Sequence, residues 1–249
     1  MRVEEVNPYR DSESKGKQVE EMFDSIAPAY DFMNSAMSMG LHRRWRNKAL
    51  KASLNEIKLR PVSAVLDIAT GTGDVAFRLH ELLPEAKITG VDLSEGMLSI
   101  ARKKLEALPE KERQLVAFGK ADCLMLPYPD SEFDMLTVAY GVRNFSDLKK
   151  GIAEMRRVLK PGGVLCIIEL SCPRGSITAP LYEIYSKKII PFVGRKVSGD
   201  SRAYSYLPES IAACPQGEEM AALLRSAGFG DVIWKAMTFG VVTFYIAKR

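Results

Sequence analysis

The sequence predicts an α/β protein whose mainly parallel sheet is covered by helices on both faces, and three observations carry that prediction. From residue 63 onward, apolar runs of strand length alternate with amphipathic stretches of helix length, as in successive βαβ units. The run Val65-Leu66-Asp67-Ile68 passes directly into Ala69-Thr70-Gly71-Thr72-Gly73-Asp74, which reads as a buried strand, a glycine turn and a helix start. A second apolar strand, Ile88-Thr89-Gly90-Val91, ends in Asp92, about 20 residues beyond the glycines. Glycines let the backbone approach a ligand that any Cβ would push away. An acid at the end of the second strand can accept hydrogen bonds from both hydroxyls of a ribose. An adenosine-like cofactor is therefore expected.

The elements follow in order. A helix over 17–25 repeats Val19, Met22, Phe23 and Ile26 at helical spacing. A Met-rich stretch then leads to Leu41 and a basic helix over 42–54. Residues 1–60 thus form an N-terminal helical segment on the substrate side, and 61–249 form the cofactor-binding domain. Strands are expected at 64–68, 88–92, 115–120, 133–139, 164–170, 231–236 and 243–247. Helices are expected at 74–83, 95–108, 148–158 and 218–226. Ser94 reads as an N-cap, and Lys160-Pro161-Gly162-Gly163 as a stop and turn. Residues at about 175–212 interrupt the alternation and read as an inserted cap, the kind of segment that selects substrates.

Composition narrows the function. The 249 residues are 47% hydrophobic and 27% charged, with a net charge of +4, which suits a large core and does not call for a nucleic-acid partner. Cys123, Cys166, Cys172 and Cys214 show no CxxC or His-rich spacing, so neither a zinc site nor a disulfide framework is expected, and no metal is assigned. Met1 to Ser14 is polar and charged, unlike a signal peptide. No apolar run approaches the ~20 residues of a membrane span. A cytoplasmic protein, able to rest peripherally on the inner face of the membrane, is the expectation.

The loop Gly71-Thr72-Gly73-Asp74-Val75-Ala76 also satisfies the dinucleotide fingerprint G-x-G-x-x-G/A. Asp67 speaks against a pyrophosphate, which a carboxylate just before the loop would repel. It suits the amine and sulfonium of S-adenosylmethionine, and Asp122 after the third strand suits the exocyclic amine of adenine.

Asp67 through Gly73, Asp92, Asp122, Leu126-Pro127-Tyr128-Pro129-Asp130 and Leu159-Lys160-Pro161-Gly162-Gly163 together resemble class I S-adenosylmethionine-dependent methyltransferases. More narrowly, the chain resembles the ubiquinone/menaquinone biosynthesis C-methyltransferase family. That match rests on Phe23-Asp24-Ser25-Ile26-Ala27-Pro28-Ala29-Tyr30-Asp31-Phe32-Met33-Asn34, Gly40-Leu41-His42-Arg43-Arg44-Trp45, Tyr140-Gly141-Val142-Arg143-Asn144 and Tyr204-Ser205-Tyr206-Leu207-Pro208-Glu209-Ser210-Ile211. The resemblance implies a Rossmann-like fold with a mostly parallel seven-stranded sheet and an antiparallel C-terminal strand. It implies that Thr72 with the Gly71 and Gly73 backbone cradles the methionine part, that Asp92 binds the ribose, and that Asp122 and Cys123 frame the adenine. Two positions depart from the class pattern. Ala69 replaces a third glycine, and Ala139 replaces the usual polar residue of the cofactor site.

The implied reaction is methylation of a quinol ring carbon of a demethylated isoprenoid quinone, demethylmenaquinol giving menaquinol and S-adenosylhomocysteine. Its substrate would be a lipophilic isoprenoid quinol. Ring carbon is a poor nucleophile until an adjacent hydroxyl loses its proton, so the candidates are groups that can take or stabilise that charge. Arg143 and Asn144 follow the fourth strand, where the methyl should sit. An arginine stays protonated, so its part is to stabilise the phenolate. His42 is a candidate base or a structural histidine, and Tyr30 beside Asp31 either closes over the cofactor or packs. His80 is expected on a solvated surface, and Asp200 as a substrate-side acid or a solvated one. Met33, Met37 and Met39 are core filler or quinone pocket. The segment 182–197 mixes aromatic and basic residues and reads as a packed amphipathic helix or a lipid contact. Benzoquinol methylation for ubiquinone, an NAD-dependent oxidoreductase and a non-catalytic donor-binding adapter stay open as alternatives, and so does the oligomeric state, a homodimer included.

Overall fold

The computed structural model describes residues 2–9, 12–57, 61–184, 186 and 201–249. A seven-stranded sheet lies at its centre: β1 (Ala64–Ile68), β2 (Lys87–Asp92), β3 (Val116–Lys120), β4 (Phe133–Ala139), β5 (Leu159–Leu170), β6 (Gly230–Met237) and β7 (Val242–Lys248). Their order is β3-β2-β1-β4-β5-β7-β6. The first five pair in parallel, and β7 runs antiparallel between β5 and β6. The order reverses between β1 and β4, and at such a switch point the carboxyl ends of the strands diverge and open a crevice.

Alternating strand side chains feed a core on each face. Leu66, Ile68, Leu136, Val138, Leu165 and Ile167 pack with the Leu148–Val158 and Glu218–Ser226 helices. Val65, Met135, Val164, Cys166 and Ile168 pack with α3 (Leu41–Glu56) and α4 (Asp74–Leu82). Near-continuous apolar strands such as β4 read this way because both of their faces are covered.

The N-terminal segment is three helices: α1 (Lys15–Ile26), α2 (Tyr30–Ser38) and α3. Met22, Ile26 and Met33 join Met97 of α5 (Glu95–Glu106) and Tyr206 in a third apolar cluster. Polar ties fix the segment over the crevice. Asp24 accepts from Ser94 Oγ at 2.6 Å and Gly96 N at 2.9 Å, at the start of α5. Asp31 accepts from Thr72 Oγ1 at 2.6 Å and pairs with Lys104 at 2.6 Å. Trp45 Nε1 donates to Thr238 Oγ1 at 2.7 Å.

Three expectations are corrected. Met39, expected as core filler or quinone pocket, is exposed, because α2 ends there and Met39 and Gly40 turn left-handed. Lys160-Pro161-Gly162-Gly163 does not stop the chain, since β5 runs through it with a register shift against β4. Gly162 takes φ +75°, a bulge that stays in the sheet because its N–H donates to Arg249 O. His80 is buried, with Nε2 3.4 Å from a Glu112 carboxylate oxygen, because α4 turns that face toward the 110–113 turn. Of the expected 175–212 cap, the Thr178–Ile184 and Ser201–Ala213 helices are described; Asp200, Lys187, Lys188 and most of the 182–197 segment lie outside the described residues. No helix among the described residues is long and apolar enough to cross a membrane.

Candidate active site

The crevice holds two cavities that share a wall of Phe23, Tyr30 and Tyr140. The inner one lies over the ends of β1, β2 and β4; the outer one lies beneath α1–α3. Beyond β1 the chain reverses sharply. Ala69 is left-handed (φ +52°), and Gly73 caps α4 at φ +83°. A Cβ on Gly73 would come within 2.8 Å of the Phe118 ring. Asp92 gathers this turn: one oxygen accepts from Gly71 N at 2.8 Å, the other from Ser94 N at 2.9 Å. Burial pushes its carboxyl above the usual range, and the two amides oppose that shift.

Gly71, Asp92, Asp122, Cys123 and Ala139 line the inner cavity together, as do Tyr30 and Asn144. Asp67, Thr72 and Gly73, expected in the same set, are not among its lining. Thr72 spends its hydroxyl on Asp31. Asp67 is 1% exposed and stands behind the loop, accepting from Thr70 Oγ1 at 2.6 Å and Thr137 Oγ1 at 2.5 Å. It braces the turn rather than meeting a cation. Asp92 and Asp122 line this cavity together with Leu93, Met97 and Leu124, and both carboxylates are hydrogen-bond acceptors.

Burial raises the Asp67 carboxyl to about 6. A carboxyl raised in the folded state contributes stability that is complete below its unfolded value and is lost as pH rises through the folded one. Asp67→Asn is therefore expected to gain on the parent protein between pH 4 and pH 8, by on the order of 3 kcal/mol. Urea unfolding at both pH values checks this, and a pH-independent difference contradicts it.

The outer cavity is lined by Met22, Met33, Met37, Trp45 and Leu207 and by the polar Asn34, Ser38, His42, Arg46 and Arg143. The Ser38 hydroxyl donates to Asn34 O at 2.6 Å and lies 2.6 Å from His42 Nδ1. With the Ser38 proton on Asn34 O, Ser38 can accept from Nδ1–H, the tautomer in which Nε2 is the unprotonated nitrogen. Burial pushes the His42 pKa below the ordinary value, favouring the neutral ring.

Arg143 is buried against Glu169 from the end of β5. Its Nη1 donates to Glu169 Oε1 at 2.9 Å, and its peptide N to Oε2 at 3.3 Å. The same guanidinium also donates to Tyr140 O. Leu170 N donates to Glu169 Oε1 at 2.8 Å. Tyr206 donates from its hydroxyl to Asn144 Oδ1 at 3.1 Å, locking the next residue of the turn. Glu169 and Ser38 escaped the sequence reading. A lone acid ending Val164-Leu165-Cys166-Ile167-Ile168 was the available signal for Glu169.

A mostly parallel seven-stranded sheet with an antiparallel strand set into one edge, and a glycine-turn cavity at the order reversal, define a Rossmann-like class I methyltransferase. The chain belongs to the ubiE/COQ5 methyltransferase family, which it matches over residues 11–249. It is 45% identical to the demethylmenaquinone methyltransferase of Bacteroides fragilis over 99% of this chain and 98% of that one. It is 41% identical to the enzyme of the same name from Deinococcus radiodurans over the whole of both chains. Among solved structures it resembles a SAM-dependent methyltransferase of Thermotoga maritima (TM-score 0.63, 22% identity, 92% of this chain and 98% of that one). It also resembles Haemonchus contortus phosphoethanolamine N-methyltransferase 2 in complex with S-adenosyl-L-methionine (TM-score 0.59, 18% identity, 82% and 52%). Those structural likenesses carry the fold alone.

Proposed function

We propose that this protein methylates a ring carbon of demethylmenaquinol, with S-adenosylmethionine as donor, and yields menaquinol and S-adenosylhomocysteine. The observation that carries this is the pair of cavities meeting at one aromatic wall, the inner lined by Asp92 and Asp122 and the outer by Met22, Met33, Met37, His42 and Arg143. When bound, the donor supplies an electrophilic methyl on a sulfonium. The rest belongs to the chain.

Met22, Met33 and Met37 offer flexible thioethers to an apolar tail. His42 Nε2 is the acceptor for the ring hydroxyl proton, neutral and held in one tautomer by Ser38. Arg143, fixed by Glu169, faces the resulting phenolate charge. Carbon–methyl bond formation would be balanced by cleavage of the sulfur–methyl bond, the ring C–H proton passing to the ring oxygen to restore aromaticity and the hydroxyl while the first proton leaves His42 Nε2 for solvent. Aligning both partners can supply about 7–11 kcal/mol of barrier lowering. A polyisoprenoid substrate resides in lipid, so the protein works in the cytoplasm at the inner membrane face, and nothing in the site asks for a nucleic acid.

Labelled methyl donor, offered with reduced demethylmenaquinone and with the benzoquinol counterpart, tests the reading. Carbon-bound label in the naphthoquinol, with far less in the benzoquinol, is expected. No transfer to either ring, or label on oxygen, overturns it.

A further inference from the structure

Among the described residues, four buried side-chain nitrogen or oxygen atoms lack a hydrogen-bond partner: Asn7 Oδ1, His80 Nδ1, Tyr140 Oη and Arg143 Nε. The last two belong to one short turn after β4, and both side chains line the outer cavity. Buried polar groups are nearly always paired. The backbone of the same turn is strained, since Tyr140 holds φ +61°, a conformation that side chains with a Cβ rarely adopt. Strain and unpaired donors concentrated in one cavity wall mark a place prepared for a ligand. Both orphans can donate, so the missing partner is an acceptor.

We infer that Tyr140 is a substrate-binding residue whose hydroxyl, together with Arg143 Nε, donates to one ring oxygen of the acceptor, the oxygen beside the carbon that receives the methyl. This deepens the reading of the acceptor as a hydroquinone and rests on it. Tyr140 lines both cavities, so it stands where donor methyl and acceptor ring must meet. Negative charge grows on that ring oxygen as its proton leaves, and donors fixed in place beforehand stabilise it without reorganising. Burial pushes the Tyr140 phenol well above its ordinary range, so it stays protonated and remains a donor. Arg143 is held charged by Glu169. Arg143 Nη1 is engaged by Tyr140 O and Glu169, whereas Nε, like the Tyr140 hydroxyl, has no partner.

A tyrosine kept only for ring packing makes the opposite prediction from one kept for its hydroxyl. Tyr140→Phe removes a single oxygen that has no partner in the free protein. Thermal unfolding of the variant is expected to be unchanged or raised, because an unpaired buried hydroxyl is replaced by a ring of the same shape. S-adenosylhomocysteine affinity, read by titration calorimetry, is expected to stay within about twofold. The kcat/KM for reduced demethylmenaquinone is expected to fall about tenfold to a hundredfold, the worth of one hydrogen bond to a charged group. A Tyr140→Phe protein with unaltered kcat/KM overturns the inference. So does a lowered Tm with a fall in rate no larger than the loss of folded protein. If the parent protein methylates no hydroquinone, the reading of the acceptor fails and this inference falls with it; a fully active parent and a fully active variant remove this inference alone.

Discussion

Asp92→Ala is expected to abolish donor binding. The carboxylate holds the Gly71 and Ser94 amides and keeps lone pairs for two ribose hydroxyls. Hydrogen bonds to a charged acceptor contribute about 1.5–3 kcal/mol each, so losing two weakens S-adenosylhomocysteine by about 10²-fold or more. The two freed amides also let the glycine turn loosen, which adds to the loss. Asp92→Asn, with one acceptor oxygen in place of two, should fall between. Calorimetric titration with S-adenosylhomocysteine decides it, and an alanine variant binding within about threefold of the parent would refute the assignment.

The second large effect concerns Arg143 and separates stability from chemistry. Arg143 and Glu169 side chains are 7% and 4% exposed. Removing one partner of a buried pair strands the other charge, which costs about 3–5 kcal/mol. Arg143→Ala is therefore expected to lose that much stability in urea unfolding as well as turnover, while its folded fraction still binds S-adenosylhomocysteine. Arg143→Met combined with Glu169→Gln removes both charges and should regain most of the stability, since apolar replacement of a buried pair is often neutral. Turnover should not return with it. Recovery of kcat in the double variant would show that the arginine only supports the fold.

What the sequence made legible follows from what local pattern encodes. Strands β1 and β4 were readable to their ends because two covered faces leave mostly apolar runs, broken only by Asp67 in β1 and by Asp134 and Thr137 in β4. The glycine turn and Asp92 were readable because a sharp strand–helix reversal needs those residue types at that spacing. Met33, Met37, His42 and Arg143 of the outer cavity were named from the sequence, but the groups that hold them were not, because those partners meet only through topology. Glu169 reaches Arg143 because β4 and β5 run parallel and end side by side, with Tyr140 N bonded to Ile168 O. Tyr206 reaches Asn144 from 62 positions away. Asp67 misled for the same reason. A carboxylate before a glycine loop looks ready for a ligand, yet Thr137 on the neighbouring strand had already claimed it, and no window of β1 contains that fact. His80 looked solvated beside Glu81 until the 110–113 turn covered it.

Ala69 and Gly141 illustrate how two strand ends divide a small space. A Cβ on Gly141 would sit 2.7 Å from the Ala69 Cβ, although Gly141 has an ordinary φ of −108°. Only room, not backbone conformation, forbids a side chain there, and the room holds one methyl. The two positions are therefore not free to drift independently. A lineage that first lost the Ala69 methyl would gain a permissive background in which alanine at 141 is tolerable, pressed only by Val138. In the opposite order, the intermediate carries both methyls and is overpacked by about 1–3 kcal/mol. The history open to this turn has a direction, written by a gap the width of a single carbon.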